Sequence, residues 1–227
     1  MSYFKTIVCF ANSRKTAGRC IAGKEWQNGN PGEWIRPVSE RQTHEISEAE
    51  RCYRDGQEPQ LLDIINVPCI NHQPLSHQRE NHEIDASCYW SSQDRLAWQR
   101  IDAWLDEPDT LWGTRQGSYS GLNNRVSIGE EDGSSLYLIR VKSLRLLVGL
   151  KAPEYPDSKR AVRGEFTYRN VNYRIDVTDP FIESHYLQQS DGQYDIAHPV
   201  LCLSLGDPFQ GYYYKLIAAV LYPERFL

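Results

Sequence analysis

Leu136-Tyr137-Leu138-Ile139-Arg140-Val141-Lys142-Ser143-Leu144-Arg145-Leu146-Leu147-Val148 decides the fold class. Side chains on a strand alternate between faces. Tyr137, Ile139 and Val141 share one face, and Leu144, Leu146 and Val148 then take the other parity. A strand that switches parity near Ser143 needs a bulge or a sharp bend. Closed or strongly coiled small barrels use such bends.

The second half of the chain continues in the same style. A hairpin is expected over Glu165–Val177, turning near Arg169-Asn170, with Val171, Tyr173, Ile175 and Val177 inward. Thr178-Asp179-Pro180 caps a short helix, Pro180–Leu187, with proline at its first position. Two strands follow, Val200–Leu205 and Tyr212–Leu221, around a turn containing Gly206-Asp207-Pro208 and Gly211. The first half reads as strands over Lys5–Ala11, Cys20–Trp26, Trp34–Val38 and Leu61–Ile70. Pro37 places the third of these at an edge. Ser47 and Glu50 form a capping box for a short helix. Between the halves, Ala97, Trp98, Ile101, Trp104 and Leu105 recur at helical spacing, which predicts an amphipathic helix over 91–107. Trp112–Arg125 reads as a linker or long loop, rich in glycine and asparagine. The expected organisation is a β module over 1–90, a helix and linker over 91–125, and a second β module over 126–227. The fold class is mainly β with a few helices. No repeat unit recurs at a fixed period.

Composition narrows the function. With 227 residues, 40% hydrophobic and 24% charged, the chain can bury real cores and is not disordered. A net charge of −5 means that any nucleic-acid contact must come from a local basic patch. Six cysteines form no CxxC pair, and the opening MSYFKTIVCF lacks the apolar stretch of an export signal. Reduced thiols and a cytoplasmic location are expected. The apolar run Leu216–Tyr222 is too short to span a bilayer, so no membrane anchor is expected.

Several motifs together resemble the bacterial dual OB-containing domain family. They are Ile7-Val8-Cys9, Ala11-Asn12-Ser13-Arg14-Lys15, Gly18-Arg19-Cys20-Ile21-Ala22-Gly23, Trp34-Ile35-Arg36-Pro37-Val38-Ser39, His77-Gln78 with Glu80-Asn81, and Ser204-Leu205-Gly206-Asp207-Pro208-Phe209 leading to Tyr214-Lys215-Leu216-Ile217-Ala218-Ala219. The resemblance covers nearly the whole chain. It implies two small OB-like β-barrel modules joined by a helical segment, and a nucleic-acid-related role in bacterial conflict or defence systems. It carries over no catalytic residues.

The candidate nucleic-acid contacts are Arg14, Lys15, Arg19, Lys24, Trp34 and Arg36, with Tyr213 and Lys215 as a second group. Phosphates need fixed cations, and bases need aromatic faces. The competing reading is a solvated basic loop with core tryptophans. Along 212–221 the even positions Tyr212, Tyr214, Leu216, Ala218 and Val220 read as the core face, leaving Tyr213 and Lys215 outside. His72, His77 and His82 stand five apart, which suits neither one helix face nor one strand face, so no metal site is assigned. Asp63, Glu80 and Lys24 are an acidic-plus-lysine set of the sort a nuclease uses, but chance supplies such sets in a chain with 30 carboxylates. No GxSxG, P-loop or GxGxxG is present, and no cofactor is expected. Three functions follow: a non-catalytic nucleic-acid-binding protein, a protein-interaction subunit docking through Trp98 or Trp104 of helix 91–107, or an enzyme acting on nucleotides or nucleic acid. The first accounts for the most residues.

Overall fold

A computed structural model describes residues 2–113, 117–151 and 156–226. The chain divides into two compact units, Met1–Leu105 and Asp106–Leu227.

Unit 1 is a closed barrel. Its strands are β1 (Tyr3–Lys15), β2 (Gly18–Gln27), β3 (Asn30–Val38), β4 (Asp63–His72) and β5 (Asn81–Ile84), with a short helix α1 (Glu48–Arg51) between β3 and β4. The hydrogen-bonded order runs β1-β2-β3-β5-β4, and β4 pairs back onto β1 to close the ring. β1 does this by serving two partners. Its first half, Tyr3 to Val8, pairs with β4, and its second half, Ile7 to Lys15, pairs with β2 across a bulge between Cys9 and Ala11. The pairing of β3 with β5 is parallel. A closed five-stranded ring in this order is the OB barrel. The expected capping box is present, with Glu50 accepting from the Ser47 amide at 2.8 Å. Pro37 does not mark an edge: β3 lies between β2 and β5, and its ladder with β2 ends at Ile35, before the proline.

Two departures follow Ile84. Residues 91–107 are not one α-helix. Ser91–Arg95 is a strand, β6, paired with β4 (Asp63 to Asn66), and Trp98–Trp104 is a 3-10 helix. β6 is exposed throughout, so backbone pairing rather than burial holds it and it carries no apolar alternation. Ile101 and Trp104 stand three apart, a spacing that a 3-10 helix serves as well as an α-helix, and both are buried.

Unit 2 repeats the plan with a split first strand. β7 (Arg125–Ser127) is followed by β8 (Leu136–Arg140), β9 (Ser143–Leu150), β10 (Arg160–Tyr168), β11 (Val171–Val177), α2 (Pro180–Tyr186), β12 (Gly192–Ala197), β13 (Val200–Leu205) and β14 (Tyr212–Leu221). The order β9-β10-β11-β14-β13-β8 mirrors β1-β2-β3-β5-β4-β1. Again the third strand meets the fifth in parallel, and the helix lies between the third and fourth. β8 pairs with β13 while β9 pairs with β10. The parity switch thus sits at Val141-Lys142, where one bent strand passes from its fourth-strand partner to its second. Both second strands carry a glycine where a side chain would collide. A Cβ on Gly23 would lie 2.1 Å from the Val8 carbonyl oxygen, and one on Gly164 would lie 2.4 Å from Ile217 Cδ1.

The Trp112–Arg125 stretch includes residues 114–116, which lie outside the described residues. Its described ends belong to unit 2. Trp112 is fully buried in the unit 2 core, its ring centroid 5.2 Å from that of Tyr137.

Candidate functional site

OB barrels bind ligands on the outer face of strands 2 and 3 and on the loops joining strands 1–2 and 4–5. In unit 1 that face carries Cys20 and Lys24 from β2, and Trp34 and Arg36 from β3. Ile21 and Ile35 point the other way, into the core. Lys24 and Trp34 are directly opposed, with Nζ 5.4 Å from the Trp34 ring.

The chain covers this face itself. Lys24 Nζ donates to the Trp104 carbonyl at 2.7 Å, and the Trp104 indole stacks on Trp26 at 5.7 Å and 8°. Arg36, 4% exposed, donates from Nε to Glu80 Oε1 at 2.9 Å and from Nη1 to Cys20 Sγ at 3.0 Å. Burial works against the Arg36 charge, but Cys20 and Glu80 outweigh it and raise the pKa. Lys24 and Arg36, expected as phosphate contacts, are therefore interior cations out of a phosphate's reach in this structure. Trp34 is half-buried beside them.

Arg14, Lys15 and Arg19 stand apart from that roof. They sit at the tip of the β1–β2 hairpin, in the strand 1–2 loop position. Arg14 and Arg19 are cross-strand partners, and Lys15 pairs with Gly18 around a tight turn with Thr16 at φ 46°. Arg14 is exposed, and Lys15 and Arg19 are half-exposed. A backbone bridge between Arg19 and Ile46, with reciprocal hydrogen bonds of 2.9 Å, ties the tip to the segment before α1.

Tyr213 and Lys215 are inside unit 2. The core face of β14 is the odd one, Tyr213, Lys215 and Ile217, opposite to expectation. Tyr212 and Tyr214 are the half-exposed positions. Lys215 is 1% exposed, its Nζ 5.1 Å from the Tyr173 ring. A lysine in the core is rare enough that apolar counting assigns it outward.

On the corresponding outer face of unit 2, Asp195, Arg145, Glu165 and Arg174 stand side by side across four strands. Arg145 pairs with Asp195 at 3.0 Å and Arg174 with Glu165 at 2.6 Å. A hollow of about 310 Å³ lies over Asp195, Arg145 and Glu165 of this row, lined also by Thr167 and Asn172. Its charges are mutually compensated, so it has little pull on an anion.

The remaining candidates separate. Asp63 pairs with Arg95 at 2.8 Å, Glu80 with Arg36, and Lys24 with the Trp104 carbonyl, so the acidic set has three different partners. His72 and His82 stack at 4.6 Å, and the Tyr3 hydroxyl meets His82 Nδ1 at 2.7 Å. Burial, then His72 and Lys5, push His82 down to about 4, so it is neutral at physiological pH. His77 is buried on the β4–β5 loop. Among the described residues no three His, Cys, Asp or Glu side chains converge as metal ligands, and no helix is long and apolar enough to cross a membrane. Of the two expected docking residues for a protein partner, Trp104 is fully buried and Trp98 is half-buried.

The pattern of the dual OB-containing domain matches residues 5–220. The chain belongs to the dual OB-containing domain family. No curated protein and no solved structure matches it. Membership of the dual OB family accords with the duplicated strand order, and both are consistent with nucleic-acid binding. The sequence analysis assigned no role to Tyr119, Arg125 or Phe209, whose side chains gather around Tyr214 and Tyr212 in unit 2. The available signal was an aromatic residue amid turn formers, as in Gly117-Ser118-Tyr119-Ser120-Gly121 and Asp207-Pro208-Phe209-Gln210-Gly211, where no core strand can account for the ring.

Proposed function

We propose that this protein is a binding module for single-stranded nucleic acid, with the β1–β2 hairpin tip of unit 1 as a phosphate contact. The observation that carries the reading is the placement of Arg14, Lys15 and Arg19 on the strand 1–2 loop of an OB barrel, a loop position OB barrels use for oligonucleotides. The tight turn and the Arg19–Ile46 bridge hold these side chains on a fixed scaffold, which lowers the ordering cost of contact. Lys24, Trp34 and Arg36 support the face from beneath, and Tyr213 and Lys215 belong to the interior of the second barrel. The setting we propose, which the family resemblance implies, is a bacterial conflict or defence system.

The test replaces the tip cations. Arg14→Ala, Lys15→Ala and Arg19→Ala together should weaken single-strand binding at low salt by tenfold or more, read by fluorescence anisotropy. Each lost phosphate contact flattens the plot of log affinity against log salt by about 0.7 on a single strand, so the slope should fall by about 2. An unchanged slope in a folded triple variant would remove the hairpin tip from the interface.

A further inference from the structure

The strand 4–5 loop of unit 2 and the segment before β7 bring together a group of aromatic side chains around one guanidinium. Arg125 Cζ lies 3.9 Å from the Tyr212 ring centroid and 5.5 Å from that of Tyr119. Tyr214 stands between Tyr119, at 6.5 Å, and Phe209, at 6.4 Å. Tyr119 and Phe209 are each 58% exposed. Contiguous exposed aromatics of this kind mark interaction sites, whereas single ones need no explanation.

The exposed rings are held in place rather than left on slack loops. Asn124 Oδ1 accepts from the Tyr119 amide and Asn124 Nδ2 donates to the Tyr119 carbonyl, both at 2.8 Å. The Asn124 carbonyl in turn accepts from the Lys215 amide of β14 at 2.9 Å. Phe209 is fixed by a reciprocal backbone pair with Tyr212, at 2.8 and 3.1 Å, across a turn with Gln210 and Gly211 at positive φ. Among the described residues the Arg125 side chain has no carboxylate partner, and its buried Nε and the buried Tyr214 hydroxyl have no hydrogen-bond partner. Buried polar groups in native structures are nearly always satisfied, so two orphans in one cluster call for an explanation. A cation held against tyrosine rings, with no carboxylate to neutralise it, suits a phosphate. Rings flanking it suit the faces of successive bases.

We propose that Tyr119, Phe209 and Tyr214 form a base-stacking platform for single-stranded nucleic acid, with Arg125 as its phosphate contact. This rests on the nucleic-acid reading above and gives unit 2 its own share of the strand, at a loop position OB barrels use for binding. The platform selects for bases, whereas the unit 1 hairpin tip selects for phosphates.

The full chain is titrated with labelled oligothymidylate and with an abasic oligonucleotide of equal length, which keeps the phosphates and lacks the bases. The wild type should bind oligothymidylate on the order of tenfold or more tightly than the abasic strand. Tyr119→Ala with Phe209→Ala, both at exposed positions, should erase that preference and bring oligothymidylate binding down to the abasic level. Equal binding of the two strands by the wild type, or a preference that survives the double variant, overturns the platform while the nucleic-acid reading stands. Absence of binding to either strand overturns both. Sedimentation of the wild type as a dimer that the double variant dissociates would make the rings a contact between copies, and would overturn the platform as well.

Discussion

Asp179→Ala is expected to cost unit 2 about 4 kcal/mol, roughly a quarter or more of the stability of an ordinary domain. Asp179 is 1% exposed and is the acceptor that joins three parts of the barrel. Oδ1 caps α2 by accepting from the Phe181 and Ile182 amides at 3.1 and 3.4 Å. Oδ2 accepts from the Val220 amide of β14 at 2.9 Å and from Arg225 Nη1 at 2.5 Å. Losing a cap costs about 1 kcal/mol, and an orphaned buried amide costs about 1–3 kcal/mol. Breaking a buried ion pair from one side costs about 3–5 kcal/mol, and these contributions overlap rather than add. Hydrogen exchange read peptide by peptide, with urea as the perturbant, should show unit 2 amides losing protection while unit 1 keeps its own. Asp179→Asn keeps an acceptor oxygen for the cap and should fall between. A loss below about 1 kcal/mol in Asp179→Ala would mean that the network is not what joins α2 to β14.

Lys215→Met carries the second large effect, with the opposite sign. Burial pushes the Lys215 ammonium down from 10.5 to about 7, with Asp132 only partly offsetting it. The folded pKa is depressed, so the contribution is read from high pH downward. Above 10.5 both folded and unfolded chains hold a neutral amine, and folding costs nothing on this account. As pH falls from 10.5 to about 7, the unfolded chain takes up a proton that the folded one refuses, and stability falls by about 1.4 kcal/mol per pH unit. Below about 7 both are protonated and the loss is complete, at roughly 4–5 kcal/mol. Methionine has a similar length and no charge, so Lys215→Met should stabilise unit 2 by about 3 kcal/mol at pH 7. Denaturation at pH 7, 8 and 9 should show the wild type gaining on the variant at each step. A constant gap, or a less stable variant, would show that the core accommodates the charge.

These two residues mark what the sequence discloses and what it hides. Thr178-Asp179-Pro180 was legible as a helix start because cap chemistry is local: the residue and the amides that it serves are two and three positions apart. Its partners Val220 and Arg225 lie 41 and 46 positions away, and nothing local announces them. Strand bounds were legible where an apolar run ends in turn formers, and Val200–Leu205 and Tyr212–Leu221 are observed as read. Lys215 was assigned outward because apolar counting cannot see a core that admits an ammonium group. The helix expected over 91–107 failed because β6 is an edge strand held by its backbone, and because three-residue spacing does not separate 3-10 from α. The parity switch near Ser143 was legible as a bend, but the duplicated barrel plan was not. The repeat lives in strand order, with the first strand unbroken as β1 in one unit and split into β8 and β9 in the other.

The candidate site divides in the same way. Lys24 and Arg36 look like surface cations because the residues that cover them, Trp104 and Glu80, are 80 and 44 positions distant. Arg14, Lys15 and Arg19 needed no such information, since a polar hairpin tip is exposed in almost any barrel. Arg125 gives no signal in the sequence, since the tyrosine rings around it come from separate segments.

Single-strand binding is tested most directly by titrating the wild-type chain against labelled single-stranded DNA, single-stranded RNA and duplex DNA at low and moderate salt. Two OB barrels with a basic hairpin tip and an aromatic platform predict binding to a single strand, weaker binding to the duplex, and affinity that falls steeply as salt rises. No binding to any of the three at micromolar protein, or binding indifferent to salt, would contradict a role in single-strand binding.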